Sequence, residues 1–285
     1  MKEIVVISGK GGTGKTTITA ALAGLGPDKV IADCDVDAAD MHLIMNPDIQ
    51  LTHDFFSGEL AHIDPEACTQ CGECREMCRF GAISPQLQVL PEHCEGCALC
   101  YHVCPVQAVH MQERLCGQWY ESTTRFGPLV HASLGIGEEN SGKLVTTVRK
   151  ASQAEAEEKG YEVVLVDGSP GIGCPVIASL TNADVALLVG EPTVSAVGDL
   201  HRVSELTAHF GIKTMALINK VDINPELVQE LKDFCLDKKI EIVGELPYAP
   251  AFTQAQLQGQ TICEYDPQGL GQTMAGIWTR IESCL

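Results

Sequence analysis

Two sets of residues in this chain have types and spacings that can do chemistry. The first is Gly9-Lys10-Gly11-Gly12-Thr13-Gly14-Lys15-Thr16, which matches G-x-x-x-x-G-K-[S/T] at every fixed position and continues into Thr17. Glycines let backbone N–H groups approach phosphate oxygens closely. In this pattern Lys15 contacts the β- and γ-phosphates and the Thr16 hydroxyl ligates magnesium. The helix that follows adds positive potential at its N-terminus. The expected ligand is ATP with Mg2+, held by Gly9, Gly11, Gly12, Thr13, Gly14, Lys15, Thr16 and Thr17.

The second set is made of thiols. Eight of the fourteen cysteines fall between Cys68 and Cys104. Cys68, Cys71, Cys74 and Cys78 recur 26 residues later as Cys94, Cys97, Cys100 and Cys104. The flanks recur too, Phe80-Gly81-Ala82-Ile83 matching Val106-Gln107-Ala108-Val109, so a duplicated half is the simplest explanation. Each half reads C-x2-C-x2-C-x3-C, which resembles the spacing of two-cluster bacterial ferredoxins. In that arrangement three cysteines wrap one cluster and the fourth reaches the other. Cys68, Cys71, Cys74 and Cys104 are then expected to hold one 4Fe-4S cluster, and Cys94, Cys97, Cys100 and Cys78 the second. Pro105 follows Cys104 as the ferredoxin pattern expects, whereas Arg79 replaces the matching proline after Cys78. Zinc is the alternative, but its sites use four ligands in two separated pairs.

The elements that must position these residues read as an α/β chain. Ile4–Ile7 is a β-branched run suited to a buried parallel strand, and the glycine loop after it opens a helix to about Leu25. Further strands are expected at 30–32, 129–134, 162–166, 185–189, 213–218 and 240–246. Helices are expected at 141–159, 194–210, 225–238 and 270–283. This alternation implies a doubly wound, mostly parallel sheet. Ligands in such sheets bind beyond the carboxyl ends of the strands, where the glycine loop, Asp35, Asp167 and Asn219 would converge. Residues 62–112 break the rhythm and read as a small inserted α+β ferredoxin-like domain. The ATPase-like remainder is then 1–61 and 113–285.

Composition narrows the function classes. Hydrophobic residues are 45% and charged residues 20%, as in a globular protein. A net charge of −19 disfavours nonspecific binding to nucleic acid or to anionic membranes. Met1-Lys2-Glu3 leads straight into an apolar strand with no secretory leader, and no apolar run is long enough to span a membrane. The C-terminal stretch 276–285 carries Arg280 as its one basic residue, too few for an amphipathic anchor. A cytoplasmic location is expected.

Lys10, just after the first glycine, is the mark of the deviant Walker A motif. The chain outside 62–112 resembles the MinD/ParA family of dimeric P-loop ATPases, related to the nitrogenase iron protein and the Mrp/Nbp35 cluster carriers. The resemblance implies a homodimer in which Lys10 reaches the partner's nucleotide. Its alternative role is that of a solvated loop charge. Asp33-Cys34-Asp35-Val36-Asp37 resembles switch I, with Asp35 positioning the attacking water; Asp33 and Asp37 fit an acidic strand-end cap equally well. Asp167-Gly168-Ser169-Pro170-Gly171 resembles Walker B running into switch II, with Asp167 holding magnesium through water. Asn219-Lys220 resembles the base-contacting pair and Pro247-Tyr248 the loop over the purine.

Six cysteines remain outside the repeat, and most read as buried apolar side chains. Cys174 stands apart. In the nitrogenase iron protein a cysteine at this offset from the Walker B aspartate holds a cluster shared by two subunits. A second interface cysteine is missing here from Gly137-Glu138-Glu139-Asn140-Ser141-Gly142, so a buried thiol remains the alternative. The expected function is an ATP-hydrolysing switch that couples nucleotide state to the clusters, in metallocofactor assembly or ATP-gated electron transfer. The competing reading is a non-enzymatic iron–sulfur carrier in which ATP only sets oligomeric state. Either would meet an unidentified metalloprotein or redox client through a basic docking face opposite Glu73, Glu76, Glu92 and Glu95.

Overall fold

A computed structural model describes residues 1–135, 137–138 and 140–285. Glu139, within the segment weighed above for an interface cysteine, lies outside the described residues. The chain divides into two compact units. Unit 1 comprises Met1–His53, Trp119–Ser133 and Ser141–Leu285; unit 2 comprises Asp54–Gln118 and Leu134–Asn140.

The strands are β1 (Lys2–Ile7), β2 (Lys29–Asp33), β3 (Asp48–Ile63), β4 (Val109–Thr124), β5 (Gly127–Leu134), β6 (Val163–Asp167), β7 (Val185–Gly190), β8 (Lys213–Asn219) and β9 (Glu241–Leu246). They form a mixed nine-stranded sheet in the order β3-β4-β5-β2-β6-β1-β7-β8-β9. Pairings are parallel from β5 through β2, β6, β1, β7 and β8 to β9. The α/β expectation therefore holds. The boundaries 62 and 112 fall inside β3 and β4, each 16 residues long.

In unit 1, α1 (Lys15–Ala23) packs on β1 and β6, with α2 (Met41–Met45) and α11 (Leu270–Glu282) beside it. Ile4 and Val6 of β1 join Ile18, Leu22, Met274 and Ile277 in one core. Val5 and Ile7 point the other way along the pleat and are equally buried. A strand covered on both faces must be apolar at successive positions, which is why 4–7 reads as an unbroken run. α5 (Ser141–Lys159) packs on β2 and β6, and α6 (Cys174–Leu180) on α5 and β1. α7 (Val194–His209) and α8 (Pro225–Asp237) cover the β7–β9 end. Asn224 caps α8 by accepting from the N–H groups of Glu226 and Leu227 at 3.1 and 3.2 Å. Two helices, α9 (Pro250–Leu257) and α10 (Ile262–Tyr265), occupy a stretch where none was expected.

The C-terminal end of α1 rests on Lys29. Its ammonium donates to the carbonyls of Ala23 and Leu25 at 3.2 and 2.5 Å, and it sits 4.7 Å from the Trp278 ring centroid. Burial lowers its pKa to about 8, against the opposing pull of Asp28. A cation here complements the negative end of the helix that carries the glycine loop at its other end.

Unit 2 repeats its backbone as well as its sequence. α3 (Glu73–Met77) and α4 (Leu99–Val103) are 26 residues apart. Left-handed φ values recur at the same offset: Gln70 and Gly96 (60° and 62°), Gly72 and Ala98 (83° and 59°), Gly81 and Gln107 (64° and 55°). Such conformations strain any residue with a Cβ, yet one member of each pair carries one. The duplicated loop is held against that cost. Gly96 has a reason of its own, because a Cβ there would run into the Glu59 carbonyl.

Candidate nucleotide site and cysteine-lined cavity

In unit 1, β1 delivers the chain to Ser8, and the loop 9–14 turns it into α1. A Cβ on Gly9 would collide with Asp199 of α7, and one on Gly14, at φ +92°, would lie 2.6 Å from Asn219 Nδ2. Both glycines are therefore fixed by close approach. Gly14 caps α1 without a side-chain hydrogen bond, which leaves the first-turn N–H groups for an anion. Thr13 Oγ1 is buried there without a hydrogen-bond partner.

Lys15 is 5% exposed, and its ammonium lies 2.8 Å from Asp167 Oδ1 and 3.3 Å from Asp35 Oδ2. Thr16 Oγ1 donates to Asp167 Oδ2 at 2.6 Å. The Thr19 hydroxyl lies 2.9 Å from the Lys15 carbonyl oxygen and 3.0 Å from Asp167 Oδ1. Burial works against the Lys15 charge, but Asp167, Asp35 and Asp33 outweigh it and hold its pKa above the usual lysine value. Asp35 is pushed above the ordinary carboxylate range by burial, with Lys15 opposing. The Thr16 hydroxyl and Asp167 stand side by side at the loop, an oxygen set that fits Mg2+.

Asp33 ends β2, fully enclosed. Its Oδ1 accepts from the Asp35 N–H at 3.2 Å, and its Oδ2 has no partner. Burial first, then the charge of Asp167, raise its pKa well above 3.8. The native state therefore binds the extra proton, and the Asp33 contribution to stability falls as pH rises from 3.8 through that raised value. Asp33→Asn keeps the acceptor and removes the titration. It is expected to stabilise the nucleotide-free chain at pH 8 by about 1–2 kcal/mol and to flatten the pH dependence of stability. Thermal unfolding between pH 5 and 8 checks this; an unchanged slope contradicts it.

Glu191, one residue past β7, is a second charged centre at the loop. Its carboxylate lies 2.7 Å from both Lys10 and Lys220. Lys10 also donates to Thr193 Oγ1 and Ser195 Oγ at 3.0 and 3.2 Å, and Lys220 to the Gly12 carbonyl oxygen at 2.9 Å. Burial disfavours the Glu191 charge, but the two lysines more than offset it and hold its carboxyl below the ordinary glutamate value. Lys10 thus folds onto its own chain here. The signal for Glu191 in the sequence is position: it lies just past β7 as Asp35 lies just past β2, while Asp167 and Asn219 are the last residues of β6 and β8.

Asn219 Nδ2 donates to the Thr13 carbonyl oxygen at 2.8 Å, so its amide braces the loop. Gly171, at φ +92°, donates its N–H to the Ser8 carbonyl at 2.9 Å. Thr17 Oγ1 accepts from Gln256 Nε2 at 2.7 Å. Pro247 and Tyr248 follow β9; the Tyr248 N–H donates to Asp222 Oδ1 at 2.6 Å while its ring is exposed. Cys174 opens α6 and is exposed, with Gly142 packed close to it. Cys34, Cys116 and Cys235 are buried as expected, whereas Cys263 and Cys284 are only partly so.

In unit 2, Cys78, Cys94, Cys97 and Cys100 line one cavity of about 240 Å3, walled by Met77, Phe80, Ile83 and Leu99. Burial raises the Cys74 pKa, the Arg75 N–H opposes it, and the neighbouring Cys68, Cys71 and Cys104 add to the rise. N–H groups point at the sulfurs: Gln70 donates to Cys68 Sγ at 3.4 Å and Ala108 to Cys104 Sγ at 3.2 Å. Among the described residues, no three His, Cys, Asp or Glu side chains converge closely enough to hold a single metal ion.

A glycine loop between β1 and α1, closed over by a strand-end aspartate bonded to its threonine, defines a P-loop nucleotide-binding protein. More narrowly, the chain belongs to the CobQ/CobB/MinD/ParA nucleotide binding domain family, whose profile matches residues 4–262. It is similar to an uncharacterized protein of Methanocaldococcus jannaschii, 34% identical over 225 residues, covering 78% of this chain and 79% of the relative. Its fold is similar to the cell division ATPase MinD of Pyrococcus furiosus, with TM-score 0.60 and 18% identity over 100% of this chain and 99% of that one. MinD of Pyrococcus horikoshii, solved with Mg-ADP, superposes with TM-score 0.61 at 18% identity, covering 99% and 96%. Among the described residues no helix is long and apolar enough to cross a membrane.

Proposed function

We propose that this protein is a homodimeric, Mg2+-dependent ATP hydrolase whose nucleotide state is coupled to two 4Fe-4S clusters, acting in metallocofactor assembly or ATP-gated electron transfer. The observation that carries the nucleotide half is the buried Lys15–Asp167–Thr16 group at the head of α1. The loop N–H groups and Lys15 would bind the phosphates, and Thr16 and Asp167 would hold Mg2+. Asp35, beside Lys15, would orient the attacking water. Catalysis of this kind is positioning and charge stabilisation, and it needs no strong general base. Release of Lys10 from Glu191 would free it for the partner's nucleotide.

The cluster half is supported by the four thiols that share one cavity and by the three that act on Cys74. Thiols spread around a space suit a polynuclear cage, whereas a single zinc needs four converging donors. N–H groups aimed at sulfur favour thiolate, the form that binds iron. Clusters, when bound, would store single electrons. Glu73, Glu76, Glu92 and Glu95 are exposed, which suits a redox client with a basic face; a cytoplasmic setting and the absence of a nucleic-acid role are part of the same reading.

Anaerobic reconstitution followed by iron, sulfide and ATPase assays tests both halves. About eight irons per chain and Mg2+-dependent hydrolysis are expected. No acid-labile sulfide would overturn the cluster half, and no hydrolysis by the reconstituted protein would overturn the enzymatic half.

A further inference from the structure

The halves of the repeat in unit 2 share their backbone course but differ in several charged side chains, Arg79 against Pro105 and Arg75 against Tyr101 among them, and one of these, Arg114, reaches back onto a cysteine loop. Arg114 lies on β4, and the 26-residue offset places the neutral Gln88 at its counterpart. Arg114 Nη1 donates to the Cys94 carbonyl oxygen at 2.8 Å. Its Nε lies 2.7 Å from Glu138 Oε2, and Nη2 donates to Glu138 Oε1 at 2.8 Å. Both side chains are 18% exposed. The Glu138 hydrogen bond first, opposed by burial and reinforced by the charges of Glu138, Cys116 and Cys94, raises the Arg114 pKa. The guanidinium is therefore a permanent cation held within electrostatic reach of Cys94. Gln88, by contrast, is anchored through its backbone N–H to Ser84 Oγ at 3.1 Å.

We propose that Arg114 sets a redox difference between the two halves of the repeat, raising the midpoint potential of the group held by Cys94, Cys97, Cys100 and Cys78 above that of its twin. This rests on the cluster reading given above. One-electron reduction adds a negative charge, which a fixed cation at the Cys94 loop stabilises. Glu138 grips the guanidinium through its Nε and Nη2 while Nη1 faces the loop. It orients the cation and partly offsets it. Arg114 is a positioning residue, and the half it serves is where an entering electron comes to rest.

The two members of the ion pair should then act with opposite signs. The test is an EPR-monitored redox titration of the full, anaerobically reconstituted chain, with dithionite as the electron donor. The signal lost in Cys97→Ser identifies the affected group. Arg114→Gln should lower that midpoint and Glu138→Gln should raise it, each by about tenfold in the reduction equilibrium (about 59 mV for one electron), with the other midpoint unmoved. A purely structural role would not reverse sign between the two variants. Should Arg114→Gln lose iron from one half, Glu138→Gln decides alone: an upward shift supports the proposal, and no shift or a downward one overturns it. A wild-type chain that takes up no acid-labile sulfide would instead overturn the cluster reading itself. Full iron loading with midpoints that stay put or move together would overturn only the role of Arg114.

Discussion

Replacing Lys15 with alanine should lower ATP hydrolysis by about 10²–10³-fold and destabilise the nucleotide-free chain as well. The catalytic loss follows from removing a buried cation aimed at developing phosphate charge. The stability loss follows from the company Lys15 keeps. Asp167 and Asp35 lie 2.8 and 3.3 Å from its ammonium, and buried Asp33 is close enough to raise its pKa. Breaking a buried ion pair from one side costs about 3–5 kcal/mol. The Thr16 and Thr19 hydroxyls still reach Asp167, which places the expected cost near the lower end. The sign with pH is definite. Lys15 opposes the protonation of Asp33 and Asp35, so without it both bind protons more readily and the native state of the variant gains stability relative to wild type as pH falls from 8 to 5. Urea unfolding at the two pH values, beside an ATPase assay, checks both effects. A variant as stable as wild type at pH 8 would remove the electrostatic account.

The second large effect lies at the opposite end of β1. Arg149→Met should cost about 3–5 kcal/mol, measured by urea unfolding. Glu3, almost fully buried, receives Nε and Nη2 of Arg149 at 2.7 and 2.6 Å. The same guanidinium donates through Nη1 to the carbonyls of Ala178 and Thr181, both at 2.7 Å, at the C-terminal end of α6. Removal strands a buried charge on β1 and takes the Nη1 donor from two part-buried carbonyls. Gln153 Nε2, at 2.8 Å from Glu3 Oε2, keeps one partner in place. Combining Arg149→Met with Glu3→Leu should recover most of the loss, because the pair itself is worth far less than its half. Equal instability of the double and single variants would contradict that reasoning.

Much of the architecture was legible because it rests on local rules. β1, β6 and β7 are buried on both faces, so their residues form unbroken apolar runs that show in any window. The helix at 141–159 and the strand ends at Asp167 and Asn219 stand within a residue or two of expectation. β3 was not legible, because over 16 residues only Phe55, Ser57 and Ala61 are buried; they share one face of the strand, but a serine and an alanine give that face no apolar alternation to read. α9 was missed for a similar reason: Ala255 is its sole buried residue, and an apolar stripe never forms. The break in the α/β rhythm at 62–112 does not show the strands around it, and β3 and β4 pass through positions 62 and 112.

Sequence by itself determined the chemistry that depends on spacing along the chain. A glycine loop with Lys15 and Thr16 needs neighbouring backbone, and a C-x2-C-x2-C turn needs only a few residues to shape it. Tertiary structure decided which distant charges meet. Asp167 reaches Thr16 across 151 positions, Lys10 and Lys220 meet on Glu191, and Arg149 finds Glu3 from 146 residues away. Sheet order brings these partners together, and no periodicity or motif records it. The energy of a buried charge comes from its neighbours in space. The sequence names the groups, and the fold decides which are paired and which are protonated.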